Sequence, residues 1–433
     1  MKIALSLDQM APRGGPKFIL NLGQSLVVAG HEVTVMVETP GVWWPELAAR
    51  GLRGSCLPRT PSGSFVRQTQ QVAAAWNRQR FDVIVVNVSR PNRLALYASH
   101  LVTDNTAVLF VLHGDWADIY EGASRHVQAW NCAVGVSPQV YAGAARRFPH
   151  KPVFAIPNGV ELPDAAQQQA RLGWDLPLRL LFVGTLQDAH KGVFRLPAIL
   201  AGCRARHLPV TLTVIGEGED GPRLAQRFNE AGVADLVTMN GRQPPAAIAT
   251  AMRTHHLLLA PTNMEGMPLV VLEAQANGCV AITTALPGIT DVAIVDGVTG
   301  RLVEAGNIEQ FVDQIAAMLV PDVWLSHSQA AIVHTRQHFS VEGMGLQYER
   351  LLTRLAQGVY PLKRPYHQSH KLTAVPFTRQ DYLPSCALRL LDSPMLRRLR
   401  REKQRWAQII ALPVGGKQPD NAQAGEALDY AHP

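Results

Sequence analysis

The run LRLLFVGT, residues 178–185, decides how the chain is divided. It is almost unbroken in apolar character, which is how a parallel strand buried on both faces reads. It also follows a stretch of different character, IPNGVELPDAAQQQARLGWDLPL (156–178), with three prolines and a glutamine run. A strand that begins immediately after such a linker begins a second domain.

On the near side of the linker, KIALSL, EVTVMV, DVIVVNV, AVLFVLH and CAVGVS read as buried strands separated by helical patterns. Phe18, Leu22, Leu26 and Ala29 fall on one helical face, and the chain leaves that helix at Gly30. On the far side, VTLTVIGEG, DLVTMNG, HHLLLAPT and VAITT continue the alternation begun by LRLLFVGT. The expectation is α/β: two doubly wound, Rossmann-like parallel-sheet domains facing across a cleft, 1–160 and 178–340, joined by a linker at 161–177. A helix at 341–360 then returns toward the first domain, and 361–433 forms an irregular basic tail with helical character.

The chain has 433 residues, enough for two cores, and its 47% hydrophobic and 17% charged content is that of a globular protein. No apolar run reaches the roughly 18 residues of a membrane span. The N-terminus has too short an apolar core for a signal peptide and meets Asp8 early. The five cysteines are scattered, with no CxxC pair, so neither a disulfide framework nor a zinc site is expected. The expected setting is cytoplasmic. The net charge of +7 is uneven, because MLRRLRREKQRW (395–406) carries five Arg and one Lys against one Glu. That distribution argues against nucleic-acid binding by the body of the protein. Leu396, Leu399, Trp406 and Ile410 fit one helical stripe, so 394–410 is expected to contact an anionic membrane surface or to pack back on the first domain.

The chemistry concentrates in NMEGMPLVVLEAQANGC, residues 263–279. Pro268 suits the first turn of a helix, where its missing N–H would have no partner anyway. Glu265 then lies in the preceding loop and Glu273 in the second helical turn. The free amides near Met267, Leu269 and Val270 favour an anion, with phosphate as the expected one. A carboxylate among Val270, Leu272 and Ala274 is costly without a partner, and a vicinal diol such as a ribose would supply two donors. The alternative is a loop glutamate plus a helix carboxylate bonded to backbone.

EGMPLVVLEAQANG resembles the paired-glutamate signature of the retaining glycosyltransferases of family four, whose fold is GT-B. APRGGP, AGHEVTV, LHGD, IPNGV, FVGTLQDAHKG, VIGEG and ITDVAIVDGVTGRLV fall in the order of that family, over about residues 1–355. The resemblance implies transfer of a sugar from a nucleoside-diphosphate sugar to a carbohydrate or lipid-linked acceptor, in polysaccharide, lipopolysaccharide or glycolipid assembly, with no obligatory metal and no other cofactor. Glu273 would hold the ribose, and Glu265 would face the sugar hydroxyls. The amides of Gly266, Met267, Pro268 (whose own nitrogen has no hydrogen to offer), Leu269 and Val270 would surround the distal phosphate. Lys191 would neutralise the diphosphate, Gly15 would admit it from the other domain, and His113 would sit by the sugar. The family usually has Arg where this chain has Thr185: either the Thr185 hydroxyl and backbone bind the donor diphosphate in its place, or another cation substitutes, or activity is reduced. The rival readings are a nucleotide-sugar epimerase or hydrolase of the same fold, and a non-catalytic nucleotide-sugar-binding protein.

Other features carry less. GEGEDG (216–221) matches a dinucleotide loop but would set three carboxylates beside a pyrophosphate. His255 and His256 point to opposite faces of a strand. No Asp-x-Asp pair exists to bridge a metal to a diphosphate. Asn87 heads a glycosylation sequon inside an expected strand. Trp43 and Trp44 are packing residues or acceptor contacts, and Asp115 and Asp118 are surface carboxylates or acceptor ligands.

Overall fold

The computed structural model describes residues 1–360 apart from 59–62, 90–91 and 170–172, together with residues 376, 378 and 381. The segment 394–410 lies outside the described residues.

The first sheet contains β1 (Lys2–Gln9), β2 (Glu32–Thr39), β3 (Arg53–Cys56), β4 (Val83–Val88), β5 (Ala107–Leu112), β6 (Cys132–Gly135) and β7 (Val153–Ala155). Its order is β3-β2-β1-β4-β5-β6-β7, and the pairings are parallel. The second contains β8 (Leu178–Val183), β9 (Val210–Ile215), β10 (Val237–Met239), β11 (Leu257–Ala260), β12 (Val280–Thr284) and β13 (Gly300–Val303). It runs β10-β9-β8-β11-β12-β13, again parallel. The chain is therefore α/β with two doubly wound, Rossmann-like domains.

The central strands form where the apolar runs are unbroken, and β4, β5 and β12 are buried along their whole length. Strand order reverses between β1 and β4 in one sheet and between β8 and β11 in the other. Ligands of such sheets bind outside the carboxyl ends of the strands at that reversal. Here those ends lead into residues 10–15 and 89 on one side, and 184–191 and 261–268 on the other.

One apolar cluster runs through both domains. It joins Phe18 and Leu22 of the first helix (Gly14–Val28) to Leu258, Leu269 and Val271 of the second domain and to Tyr348 and Leu352 of the last helix (Val341–Ala356). The last helix starts at Ser340, whose hydroxyl accepts from the Gly343 amide at 3.1 Å, as an N-cap should. It packs on the first helix, with the Tyr348 and Phe18 rings 5.6 Å apart.

Three details depart from the sequence reading. The short edge strands β3, β7 and β13 are additional to the expected ones: β3 is the sequence RGSC, and β7 and β13 are only three and four residues long. Ala29 is exposed beyond the helix end rather than on its buried face. Pro268 stands one position earlier than expected, at the N-cap, with the helix beginning at Leu269.

Candidate active site

The segments from the four strand ends meet across the cleft. Gly266 marks the closest approach. A Cβ built on it would lie 1.7 Å from the His113 carbonyl oxygen and 2.9 Å from the Gly114 Cα. Only a glycine lets these two backbones touch. Beside it, the first helix begins against the Leu269–Ala276 helix: a Cβ on Gly14 would sit 3.7 Å from Leu269 Cδ1. Gly15 has only ordinary contact with Asn87, at 3.8 Å, so the loop at the start of the first helix is not sealed by packing there.

On the second-domain side, Lys191 ends a short helix (Asp188–Lys191) and lies over Gly184. The next residue, Gly192, takes φ +59° with the Pro261 carbonyl pressed against it, a position that excludes a side chain. Lys191 Nζ donates to Glu265 Oε1 at 2.6 Å, and Thr262 Oγ1 donates to the same oxygen at 3.1 Å. The loop that carries Glu265 is held from below: the Asn263 and Met264 amides donate to the His190 carbonyl, the one Thr262 hydroxyl hydrogen is shared between that carbonyl, at 2.9 Å, and Glu265, and Asn263 Nδ2 donates to the Asp188 carbonyl. Thr185 is exposed at the end of β8.

The Leu269–Ala276 helix contributes Glu273 and the Val270 amide, whereas the Leu269 amide, expected to be free, donates to the Met267 carbonyl at 2.9 Å. The Glu273 side chain is a quarter exposed at the floor of the cleft, and burial raises its carboxyl pKa. Lys17 of the first helix works against that rise, with Nζ 3.8 Å from Glu273 Oε1. His113, at the end of β5, has its pKa lowered to about 4 by burial, so the imidazole is neutral at pH 7. Its Nε2 is 3.1 Å from Asn87 Oδ1. Because that oxygen can only accept, Nε2 carries the hydrogen and Nδ1 is left as an acceptor. The Phe18 ring stands edge-on at 4.8 Å.

Glu265, Gly266, Lys191, Gly15, His113 and Glu273 are therefore gathered at one cleft, with Met267, Pro268, Leu269 and Val270 at its helical rim. Four side chains that support them had no role in the sequence reading. Asn87 orients His113, Thr262 holds Glu265, and Lys17 faces Glu273. Trp116 meets His190 across the cleft at 6.3 Å and covers Gly114 so closely that a Cβ there would clash with its ring. Asn87 was in view only as a sequon, and its signal was being the one polar residue in an apolar strand.

The other candidates have packing or polar partners of their own. Asp115 accepts from Tyr120 Oη at 2.6 Å and from Gln139 Nε2 at 2.7 Å, which uses both its oxygens. Asp118 lies in the first turn of the Ala117–Arg125 helix. Trp44 packs over Gly54 and Trp43 lies against the core. His255 bonds the Ala251 carbonyl and Thr213, while the fully buried His256 accepts from the Arg179 amide and meets Trp324. In GEGEDG, Gly216 and Gly218 pack on the Gly184 and Leu186 backbones, and Glu217 pairs with Arg242.

Residues 177–320 match the glycosyl transferases group 1, and residues 12–163 match glycosyltransferase family 4; together they take in about two thirds of the chain. A D-inositol 3-phosphate glycosyltransferase from Segniliparus rotundus is 33% identical over 45% of this chain and 46% of its own length. The chain thus spans about half the length of that relative. A phosphatidyl-myo-inositol mannosyltransferase from Mycolicibacterium smegmatis is 26% identical over 72% of this chain and 82% of its own. Among solved structures, Anabaena HepE in complex with UDP and glucose superposes with a TM-score of 0.69 at 16% identity, covering 82% of this chain and 99% of HepE. Sucrose-phosphate synthase from Thermosynechococcus elongatus gives 0.68 at 19% identity, covering 82% and 99%. These two share the fold. With each half matched in order and the two-sheet architecture shared, the chain belongs to the group 1, family 4 glycosyltransferases, with the GT-B fold.

Proposed function

We propose that the protein transfers a sugar from a nucleoside-diphosphate sugar to an acceptor hydroxyl with retention at the anomeric carbon. The observation that carries this reading is the convergence of Lys191, Glu265, the amides leading into Leu269–Ala276, and Glu273 at one strand-end cleft. Glu273 holds the ribose hydroxyls. The distal phosphate sits on the amides that begin the helix, and Lys191 meets it from the β8 side. Glu265 accepts from the sugar hydroxyls, and His113 Nδ1 accepts another.

The C1–O bond to phosphate breaks as the acceptor oxygen bonds C1 on the same face. The acceptor proton passes to the departing phosphate oxygen. Negative charge grows on the diphosphate, so fixed amides and Lys191 stabilise the transition state more than the ground state. The reading includes no obligatory metal, so activity should survive EDTA, and its loss there would overturn this part. The relatives' names put inositol-containing acceptors first in an acceptor panel. Thermal-shift screening of nucleotide sugars, followed by turnover with that panel, is the test. Acceptor-dependent release of nucleoside diphosphate supports transfer; release without acceptor supports hydrolysis or epimerisation instead.

Thr185→Arg is expected to tighten nucleoside-diphosphate binding by about tenfold, the worth of one charge-assisted bond to phosphate. Calorimetry measures it, and weaker binding would mean that another cation already fills the space.

Among the described residues, no helix is long and apolar enough to cross a membrane. We place the protein peripherally on an anionic cytoplasmic leaflet through 394–410. Each basic residue there contributes about 1 kcal/mol near such a surface. Truncation before Pro394 should abolish sedimentation with phosphatidylserine-containing vesicles at low salt and leave nucleotide binding unchanged. Vesicle binding that survives truncation would remove the tail from the account.

A further inference from the structure

Lys17 lies on the first helix and is only 8% exposed. Its Nζ is 3.2 Å from Glu161 Oε2 and 3.8 Å from Glu273 Oε1. Glu161 belongs to the segment between the two sheets and Glu273 to the second domain. Arg50 bonds the other oxygen of Glu161 and also donates to Gln24 Oε1 at 2.9 Å. The result is a chain of alternating charge, Arg50, Glu161, Lys17 and Glu273, that runs from the first domain through the inter-sheet segment to the second domain. Glu161 has two cations, so it does not depend on Lys17. Glu273 has Lys17.

We propose that Lys17 is a positioning residue for the nucleotide: supplied by the opposite domain, it keeps the Glu273 carboxylate ionised and aimed at the ribose, so that ribose recognition is complete only when the cleft is closed. The proposal rests on the reading of Glu273 as the ribose partner. A cation held this deep is costly unless its partners are fixed, and here both are. The charged groups that face Glu273 are Lys17 and, behind it, Glu161. Burial raises the Glu273 carboxyl pKa most, Lys17 lowers it, and Glu161 adds to the rise. Glu161 itself is pushed up by burial but brought below the usual carboxylate range by Arg50 and Lys17, so it stays charged.

The sign of the pH effect follows. An ionised Glu273 accepts from both ribose hydroxyls, and protonation removes acceptor capacity. Binding therefore falls as pH drops through the Glu273 pKa. Without Lys17 that pKa rises, and the fall begins at higher pH. A merely structural ion pair would lower stability without distinguishing a ribose from its dideoxy analogue.

The experiment is calorimetry on the intact protein. The probes are whichever of UDP, GDP and ADP binds the wild type most tightly, the 2′,3′-dideoxy form of that nucleotide, and pyrophosphate. Lys17→Met should weaken the ribonucleotide by about tenfold, as expected for a lost charge-assisted contact, leave the other two probes unchanged, and move the acidic loss of affinity to higher pH. Lys17→Arg should restore most of the affinity. Lys17→Gln is run beside Lys17→Met, so a folding defect in one variant leaves the test intact. Equal losses for the ribonucleotide and its dideoxy form, or no loss, would overturn the proposal. Glu273→Gln tests the underlying reading separately: if it binds all three probes as the wild type does, Glu273 does not hold the ribose, whatever Lys17 does.

Discussion

Gly266→Ala is expected to lower kcat/KM by about 100-fold or more, the scale of loss that follows an ångström of misplacement at a reacting centre. The added methyl would lie 1.7 Å from the His113 carbonyl oxygen and 2.4 Å from its carbon. Both are backbone atoms of the other domain, so no rotamer relieves the clash. The cleft must open, and Glu265 and Lys191 then move away from His113. The shared cluster loosens only at the cleft, and the clusters around Phe110 in the first domain and Phe182 in the second keep their packing, so the melting temperature should change little. Gly221→Ala serves as the control, since a Cβ there meets only Leu186 Cδ1, at 3.4 Å. Wild-type turnover by Gly266→Ala would mean that the two domains do not meet at His113 and Gly114 during catalysis.

Lys191→Met should lower kcat by about 10²–10³-fold, the scale found when one donor to a developing anion is removed. The substitution acts twice. It removes the cation that meets the leaving diphosphate, and it strips Glu265 of its 2.6 Å ion pair, leaving a carboxylate beside the phosphates. The second effect is separable. Adding Glu265→Gln to Lys191→Met should recover part of the nucleoside-diphosphate affinity, though not kcat, because the sugar has then lost its carboxylate. Stopped-flow turnover and calorimetry on the two variants measure this. If the double variant binds diphosphate worse than Lys191→Met alone, Glu265 does not face the phosphates.

The sheets were legible where burial is two-sided. VIVVNV and AVLFVL can hardly be anything but central parallel strands, and they are buried throughout. Of the edge strands, β10 was read from DLVTMNG but β3, β7 and β13 were not, because an edge strand such as Arg53–Cys56 owes its place to pairing with β2 rather than to composition. The cluster at 263–279 could be read because one loop and one helix hold its residues in sequence order. Lys191 and His113 needed the resemblance, since a lone lysine before glycine and a lone histidine at a strand end have no pattern of their own. Lys17 and Asn87 were out of reach for a different reason. Their partners, Glu273 and His113, are distant in the chain: Lys17 meets Glu273 where the two domains cross, Asn87 meets His113 between the neighbouring strands β4 and β5, and no local periodicity encodes either contact. Pro268 shows the limit at short range: whether it is the cap or the first residue of the helix depends on a single ψ, 80° here, that the sequence does not specify.

We propose transfer with retention at the Lys191–Glu265–Glu273 cleft. Its most direct measurement is proton NMR of the product formed from an α-linked nucleotide sugar and an accepted inositol-containing or glycolipid acceptor, recorded from the first turnovers before any mutarotation. The first anomeric signal should show the one-bond C1–H1 coupling of the α-linked donor, which separates the anomers whichever way the C2 hydroxyl points, and its appearance should require the acceptor. A first product with the β value of that coupling, or free sugar released at the same rate without acceptor, would rule out retaining transfer.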